Sequence, residues 1–145
     1  MAERHAEVLW EGSLASGHGT LTSGSGVLEG QEVSWPRRVE SADGKTSPEE
    51  LIAVAHASCF AMALSHGLGE AGTPPERLHV TATVTLDQVD GAFTITKSDL
   101  VVRGVVPGTD EAGFRAAAEG AKVNCPVSKA LAGGPAINLT ASLES

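Results

Sequence analysis

Residues 51–64 are apolar at almost every position, and only His56 and Ser58 interrupt the run. A helix that is apolar around nearly its whole circumference must be buried on nearly all sides. The chain has 145 residues, and a chain of this length buries roughly two-thirds of its unfolded surface. A few strands and one further helix cannot easily cover such a helix. We therefore expect a second copy of the chain to supply the missing cover, as a homodimer.

The residues before this segment determine where its helix begins. Ser47 fits the N-cap, Pro48 the first helical position and Glu50 the third. Ser and Glu at these positions make a capping box, and Pro is favoured in the first turn because an N–H there has no helical partner. The helix is predicted to end in the glycine-rich stretch 67–72, before Pro74-Pro75.

The remaining pattern predicts an α+β fold in a single domain that covers residues 1–145, with antiparallel strands wrapped around the buried helix. Asp90-Gly91 is a strong hairpin signal, and Pro36 is expected to mark an edge or a bulge of a strand. Along the chain we expect a strand from Ala6 to Glu11, short strands up to about Gly30, a strand within 31–40, a hairpin that begins with a strand at 78–86, a helix from Thr109 or Asp110 to about Val123, a short helix at Pro126–Leu131, and a last strand with Ile137, Leu139, Ala141 and Leu143.

The charge balance excludes some classes of partner. Ten basic residues against eighteen acidic residues give a formal net charge of −8. An acidic molecule is poorly suited to bind a nucleic-acid backbone or an anionic membrane surface, so we expect neither as a partner. The charged start of the sequence lacks the apolar run of a signal peptide, and no stretch reaches the ~18 uninterrupted apolar residues of a membrane span. We therefore expect a cytoplasmic protein.

Two cysteines, Cys59 and Cys125, are the main candidates for chemistry. Cys59 lies within the apolar helix, where it is either a reactive thiol or a small core residue, because free cysteine is among the most buried residue types. Cys125 directly precedes Pro126, at the start of a short helix whose free N–H groups would stabilise a thiolate. The alternative for Cys125 is a cysteine tolerated at a turn.

Thiols near histidines can also indicate zinc. His56 and Cys59 are three residues apart and can share a helix face, but no Cys-x-x-Cys or His-x-x-x-His pair completes a tetrahedral site. We therefore expect neither a metal nor another cofactor. His56 is expected to be a core histidine that is bonded to a backbone carbonyl.

Three charged residues near the helix start are further candidates. Arg37 and Arg38 lie in a segment with the pattern of a strand, so their side chains are expected to point to opposite faces. Glu49, unlike Glu50, has no task in the capping box. It is available either for a functional ion pair or for a favourable interaction with the helix dipole.

Three segments together carry a family resemblance. They are SPEELI and AHASCFAMAL within 47–64, LDQVDGAF at 86–93 and AKVNCPVS at 121–128. On these motifs the chain resembles the OsmC/Ohr family of thiol-dependent peroxidases, and within it the OsmC branch, across nearly its whole length. The resemblance implies an OsmC-like fold and an intertwined homodimer with two interface sites. It also implies reduction of organic hydroperoxides and, less efficiently, of hydrogen peroxide.

The resemblance implies a role for each candidate residue. Cys59 would be the peroxidatic cysteine, and Cys125 the resolving cysteine that forms a disulfide with it. The family's arginine falls on Arg38, with Arg37 as the alternative, and its glutamate falls on Glu49. An external dithiol, small or protein-borne, such as a lipoyl group, would reduce the disulfide. A guanidinium beside Cys59 would favour its thiolate against the effect of burial.

Helix geometry restricts how these residues can meet. Glu49 and Cys59 are ten residues apart in the sequence. On one continuous helix they are separated by ~15 Å along the axis and by ~80° around it. Glu49 then cannot reach Cys59 of its own chain. We expect a composite site, in which Glu49 comes from the second subunit.

Two other functions stay open for this chain. A non-catalytic domain of the same fold would bind a hydrophobic ligand in an apolar cleft and keep both thiols reduced. Alternatively, the thiols are only apolar filler of the core. A peroxidase differs from both because an organic hydroperoxide consumes its thiols and a dithiol restores them.

Overall fold

The elements follow the predicted α+β order with one exception. The computed structural model describes residues 1–134 and 137–138. The elements are β1 (Ala6–Glu11), β2 (His18–Ser23), β3 (Glu29–Val33), α1 (Trp35–Val39), α2 (Pro48–Glu70), β4 (Arg77–Val89), β5 (Ala92–Val105), α3 (Glu111–Asn124) and α4 (Pro126–Leu131). Of the last predicted strand, Leu139, Ala141 and Leu143 lie outside the described residues, and Ile137, which is described, is not in a strand.

These elements divide between two compact units. The first unit comprises Met1–Ala53 and Thr83–Ser98, and the second comprises Val54–Ala82 and Asp99–Ser145. The first contains an antiparallel sheet in the order β1-β2-β3. Gly19 is buried in this sheet, and a Cβ there would lie only 2.9 Å from a methyl carbon of Val8, so a larger residue would require that side chain to move. That the whole chain is one domain stays a prediction.

The strand predicted within residues 31–40 is wrong beyond Val33, because Trp35–Val39 form the short helix α1. Ser34 is extended and precedes the helix, and Pro36 lies in its first turn. The fixed φ of proline suits a helix start as well as a strand edge, and here the helix forms. Arg37 and Arg38 therefore project ~100° apart on a helix, instead of to opposite faces of a strand.

Helix α2 begins where the capping pattern predicts. The Glu50 backbone N–H donates to Ser47 Oγ at 3.1 Å, which is one half of the predicted box. The Glu50 carboxylate accepts a hydrogen bond from Thr46 Oγ1 at 2.7 Å. The helix runs to Glu70, within the predicted glycine-rich stretch, and Gly72 beyond it has a φ of +81°.

One chain buries only part of the surface of α2. Phe60, Leu64 and Leu68 are at most 3% exposed, whereas Val54 is 63% exposed and Met62 is 67% exposed. A single chain therefore does not bury α2 on nearly all sides. The exposed apolar residues are the surface that the expected second copy would cover. By length and composition α2 would suffice to cross a membrane, a condition that core helices of soluble proteins also meet.

The second unit has its core around the C-terminal half of α2. Phe60, Leu64 and Leu68 pack there with Ala121 of α3 and with Cys125. Leucine and valine side chains of β4 and β5 complete this cluster: Leu78, Val80, Leu100 and Val102. The two strands are joined by the predicted hairpin turn, in which Asp90 and Gly91 have φ values of 51° and 80°, as a type I′ turn requires.

Helix α3 starts at the second of the two predicted caps. Asp110 Oδ1 accepts the backbone N–H of Gly113 at 2.8 Å. The helix ends at Asn124, and the Cys125 backbone N–H still donates to Ala121 O at 2.9 Å. Cys125 has a ψ of 123°, because the residue before a proline avoids the helical region. The break predicted before Pro126 thus places Cys125 between α3 and α4, facing the core.

Candidate active site

The two thiols lie together in the second unit. Cys59 is partly buried on α2, and Cys125 is fully buried at the junction of α3 and α4. Both are free, and the two side chains interact directly with each other. The two cysteines, which 65 intervening residues separate in the sequence, are brought together because α2 packs its C-terminal half against the end of α3. The contact is what a thiol pair that forms a disulfide requires.

The surroundings shift the acidities of the two thiols in opposite directions. Burial raises the pKa of Cys59, and Cys125 raises it further, while the backbone N–H of Val127 opposes the shift. Burial also acts to raise the pKa of Cys125, but the amide and hydroxyl of Ser128, the Cys59 thiol and the Val127 amide together lower it. A negative charge on the pair is therefore favoured on Cys125. The resemblance implies a thiolate on Cys59 instead. None of the groups that shift the pKa of Cys59 here is a cation, so a guanidinium would have to be added beside it to favour that thiolate.

Cys125 owes its lowered pKa to the start of α4. Its side chain makes no cap hydrogen bond of standard geometry, but the amides of Val127 and Ser128 act on the sulfur. The predicted stabilisation of a Cys125 thiolate by free N–H groups at this helix start is therefore in place. These amides are fixed by the backbone, so their effect does not depend on side-chain rotamers.

A buried histidine adjoins the thiols. His56 is 5% exposed, and its Nε2 lies 2.8 Å from Ser128 Oγ. Burial lowers the pKa of His56, so the neutral imidazole is favoured. The Ser128 hydroxyl is thus a partner of the Nε2 atom, and the bond to a backbone carbonyl stays a prediction. Sequence analysis did not single out Ser128, although its position three residues after Cys125 at a helix start was a usable signal.

An ion pair forms in the first unit. Arg38 Nε donates to the two Glu49 carboxylate oxygens at 3.0 and 3.1 Å, and Arg38 Nη2 donates to Oε1 at 2.7 Å. Glu49 is 8% exposed, and the Arg38 guanidinium carbon lies 5.9 Å from the centre of the Trp35 ring. Such a forked, partly buried pair holds the guanidinium in a fixed orientation. Glu49 is therefore the paired carboxylate that its freedom from the capping box suggested.

Arg37 pairs with a different and more exposed carboxylate. Its Nη2 lies 3.1 Å from Asp43, whose side chain is 68% exposed. Exposed ion pairs of this kind contribute little and do not fix an orientation. Arg38 is thus the arginine that pairs with Glu49, while its catalytic role stays a prediction.

Helix α2 is continuous from Pro48 to Glu70, so Glu49 and Cys59 lie on one unbroken helix. This is the condition on which the expected composite site rests. Among residues 1–134 and 137–138, no group of three or more His, Cys, Asp or Glu side chains is placed to hold a metal ion.

Comparisons with known proteins agree on one family. The family model described as OsmC-like protein matches residues 41–140. Peroxiredoxin OsmC of Escherichia coli (strain K12) is 48% identical over 122 residues, which cover 84% of this chain and 85% of that protein. The organic hydroperoxide resistance protein of Xanthomonas axonopodis pv. citri (strain 306) is 30% identical over 136 residues, which cover 88% and 94%.

Solved structures give the same result for the fold. The crystal structure of the organic hydroperoxide resistance protein OhrB of Bacillus subtilis superposes with a TM-score of 0.66 at 28% identity. The match covers 89% of this chain and 91% of that chain. The α+β fold predicted from the sequence is confirmed by this similarity.

The acidity of His56 leads to a prediction about stability. Because burial lowers its pKa below the ordinary value of about 6.5, the unfolded chain takes up a proton there at a higher pH than the folded chain. The free energy of unfolding should therefore fall as the pH is lowered from about 6.5 towards the folded-state pKa. Urea unfolding at about pH 7.5 and about pH 5.5 measures this loss, which should be smaller in His56→Gln. The exposed His66→Gln serves as control, and an equal loss in His56→Gln and wild type would contradict the prediction.

Proposed function

The chain belongs to the OsmC-like protein family, and we propose that it is a thiol-dependent peroxidase that reduces organic hydroperoxides and, less efficiently, hydrogen peroxide. The observation that carries this proposal is the direct contact of the Cys59 and Cys125 side chains in the buried core of the second unit. Two relatives are named for peroxide chemistry, one as a peroxiredoxin and one for organic hydroperoxide resistance.

Cys59 carries out the first step. Its thiolate attacks one oxygen of the hydroperoxide group, so an S–O bond forms and the O–O bond breaks. The sulfur is oxidised to a sulfenic acid, and the peroxide is reduced to an alkoxide that takes up a proton and leaves as the alcohol. Cys59 suits this role because it is the more accessible of the two thiols, whereas Cys125 is fully buried.

The first step needs a positive charge at Cys59. An ordinary thiol is only about 3% ionised at neutral pH, so full ionisation increases the rate at most ~30-fold, or roughly 2 kcal/mol. Burial and Cys125 make the Cys59 thiol less acidic still. We assign the compensating charge to Arg38, whose guanidinium Glu49 holds in a fixed orientation. The same guanidinium would stabilise the departing alkoxide, which supplies rate beyond that of ionisation.

The arginine and the cysteine of one site come from different subunits in this proposal. Continuous helix geometry separates Glu49 from Cys59 of the same chain by ~15 Å along α2. A homodimer solves this problem, and apolar side chains that the single chain leaves exposed support one. They are Val8, Leu9 and Trp10 on β1 and Val54 and Met62 on α2, and each is 40–67% exposed.

Cys125 carries out the second step. It displaces the hydroxyl group of the sulfenic acid and forms a disulfide with Cys59, which prevents further oxidation to sulfinic acid. An external dithiol, such as a lipoyl group, then reduces the disulfide by thiol exchange. The external dithiol supplies the two electrons and two protons of each cycle, so the proposed steps need no metal ion or prosthetic group bound to this chain. The absence of nucleic-acid and membrane partners stays a prediction from the acidic charge. The cytoplasmic location stays a prediction from the charged start of the sequence and from the length of its apolar stretches.

The two cysteines are expected to fail in different ways when they are replaced. Cys59→Ser should abolish turnover of cumene hydroperoxide, because the attacking sulfur is lost. Cys125→Ser should allow one turnover and then accumulate sulfinic acid at Cys59, because the resolving thiol is lost. Steady-state assays measure turnover of cumene hydroperoxide and, for comparison, of hydrogen peroxide, with lipoamide or another dithiol as the reductant. Mass spectrometry measures the oxidation state of Cys59.

Equal residual activity in the two variants would contradict these roles. A wild-type protein that keeps both thiols reduced in cumene hydroperoxide would instead indicate the alternative, a non-catalytic domain that binds a hydrophobic ligand.

The two neighbouring arginines should differ sharply in their effect on activity. Arg38→Ala is expected to lower kcat/KM for cumene hydroperoxide by at least ~30-fold, because the Cys59 thiolate loses its counter-charge and the departing alkoxide also loses its hydrogen-bond donor. Arg37→Ala is the matched control, and its exposed ion pair with Asp43 predicts a change within about twofold. The pH dependence of Cys59 alkylation should shift to higher pH in Arg38→Ala only. An equal loss in both variants would show that general positive charge, and not an oriented guanidinium, is what the site uses.

A further inference from the structure

His56 and Ser128 are two polar residues beside the resolving thiol that the steps above leave unused. His56 is buried on α2, and its Nε2 lies 2.8 Å from Ser128 Oγ on α4. We propose that His56 holds the Ser128 hydroxyl with its hydrogen directed at the Cys125 sulfur, and that this pair speeds closure of the Cys59–Cys125 disulfide. The inference rests on the proposed peroxidase function, and it assigns Ser128 to the second step and His56 as its positioning residue.

The placement of the four residues supports this assignment. His56 lies three residues before Cys59 on α2, so the two share a face of that helix. Ser128 lies three residues after Cys125, in the first turn of α4. The hydrogen bond between His56 and Ser128 therefore spans the same two segments that the thiol pair joins. The disulfide forms across this junction, where the bond holds α4 against α2.

The hydroxyl of Ser128 has only one hydrogen to donate. Its side chain contributes to lowering the pKa of Cys125, as a hydroxyl hydrogen directed at the sulfur would do. Ser128 Oγ must then accept a hydrogen bond from His56, so Nε2 of His56 carries the proton. Burial lowers the pKa of His56 and favours the neutral ring, in which a single tautomer meets this requirement.

The chemistry of the second step shows what the hydroxyl can contribute. Cys125 loses its proton, and the thiolate attacks the sulfur of the Cys59 sulfenic acid. An S–S bond forms, the S–O bond breaks, and the hydroxide that leaves takes up the proton as water. A lower pKa of Cys125 raises the fraction of attacking thiolate and lowers the nucleophilicity of each thiolate by less, so a net gain in rate remains. The fixed position of the sulfur adds to that gain.

The test separates the two chemical steps in the full-length protein. Reduced wild type, Ser128→Ala and His56→Leu receive a small excess of cumene hydroperoxide over Cys59, because oxidation of the sulfenic acid to sulfinic acid consumes a second hydroperoxide. Samples are then quenched at intervals with dimedone, and mass spectrometry follows the sulfenic acid, disulfide and sulfinic acid forms. Sulfenic acid should form within about twofold of the wild-type rate in both variants, while disulfide closure slows at least about threefold and sulfinic acid increases.

Conservative variants distinguish positioning from general support of the fold. Ser128→Thr keeps a hydroxyl and His56→Gln keeps an N–H donor, so both should restore most of the closure rate. His66→Leu, at an exposed histidine of the same helix, is the control and should match wild type.

Three outcomes would overturn the inference. Disulfide closure at the wild-type rate in Ser128→Ala and His56→Leu would contradict it while leaving the peroxidase function intact. Equal slowing of both steps, or His56→Gln as slow as His56→Leu, would assign the pair to folding alone. A wild-type Cys59 that does not react with the hydroperoxide would contradict the proposed function and this inference with it.

Discussion

Burial makes a thiol a weaker acid, and Cys59 lies where burial and a second thiol both raise its pKa. A buried sulfur in this position reacts with peroxide only when a positive charge is brought to it. The Arg38 guanidinium, which the buried Glu49 carboxylate holds in a fixed orientation, is the charge that we assign to this role. The dimer, the order of the chemical steps and the roles of the remaining residues all depend on how these two parts meet.

The apolar helix α2 connects this electrostatic problem to assembly. Its length keeps Glu49 and Cys59 apart within a chain, and its exposed apolar residues leave surface for a second copy. One helix would thus account for both the proposed division of the site between subunits and the hydrophobic free energy that would join them. Cys125 has the opposite environment to Cys59, since fixed amides at the start of α4 already favour its thiolate.

Much of this arrangement could be predicted from local patterns. The cap at Ser47, the Asp90-Gly91 turn and the break before Pro126 each follow from backbone preferences of a few adjacent residues, and each is confirmed. The strand at Trp35–Val39 was wrong because proline fits both a strand edge and a first helical turn, and tertiary context decides between them. The contact of His56 with Ser128 joins residues 72 positions apart, and no local pattern encodes such a pairing.

The central claim is that Arg38 of one subunit activates Cys59 of the other, and mixed dimers test it directly. Cys59→Ser and Arg38→Ala chains, each nearly inactive alone, are unfolded together, refolded at equal amounts and assayed with cumene hydroperoxide and lipoamide. If the two residues act across the interface, half of the dimers regain one complete site, and activity should return to roughly a quarter of wild type. If they act within one chain, no dimer contains a complete site, and activity that stays at the level of the separate variants would contradict the account.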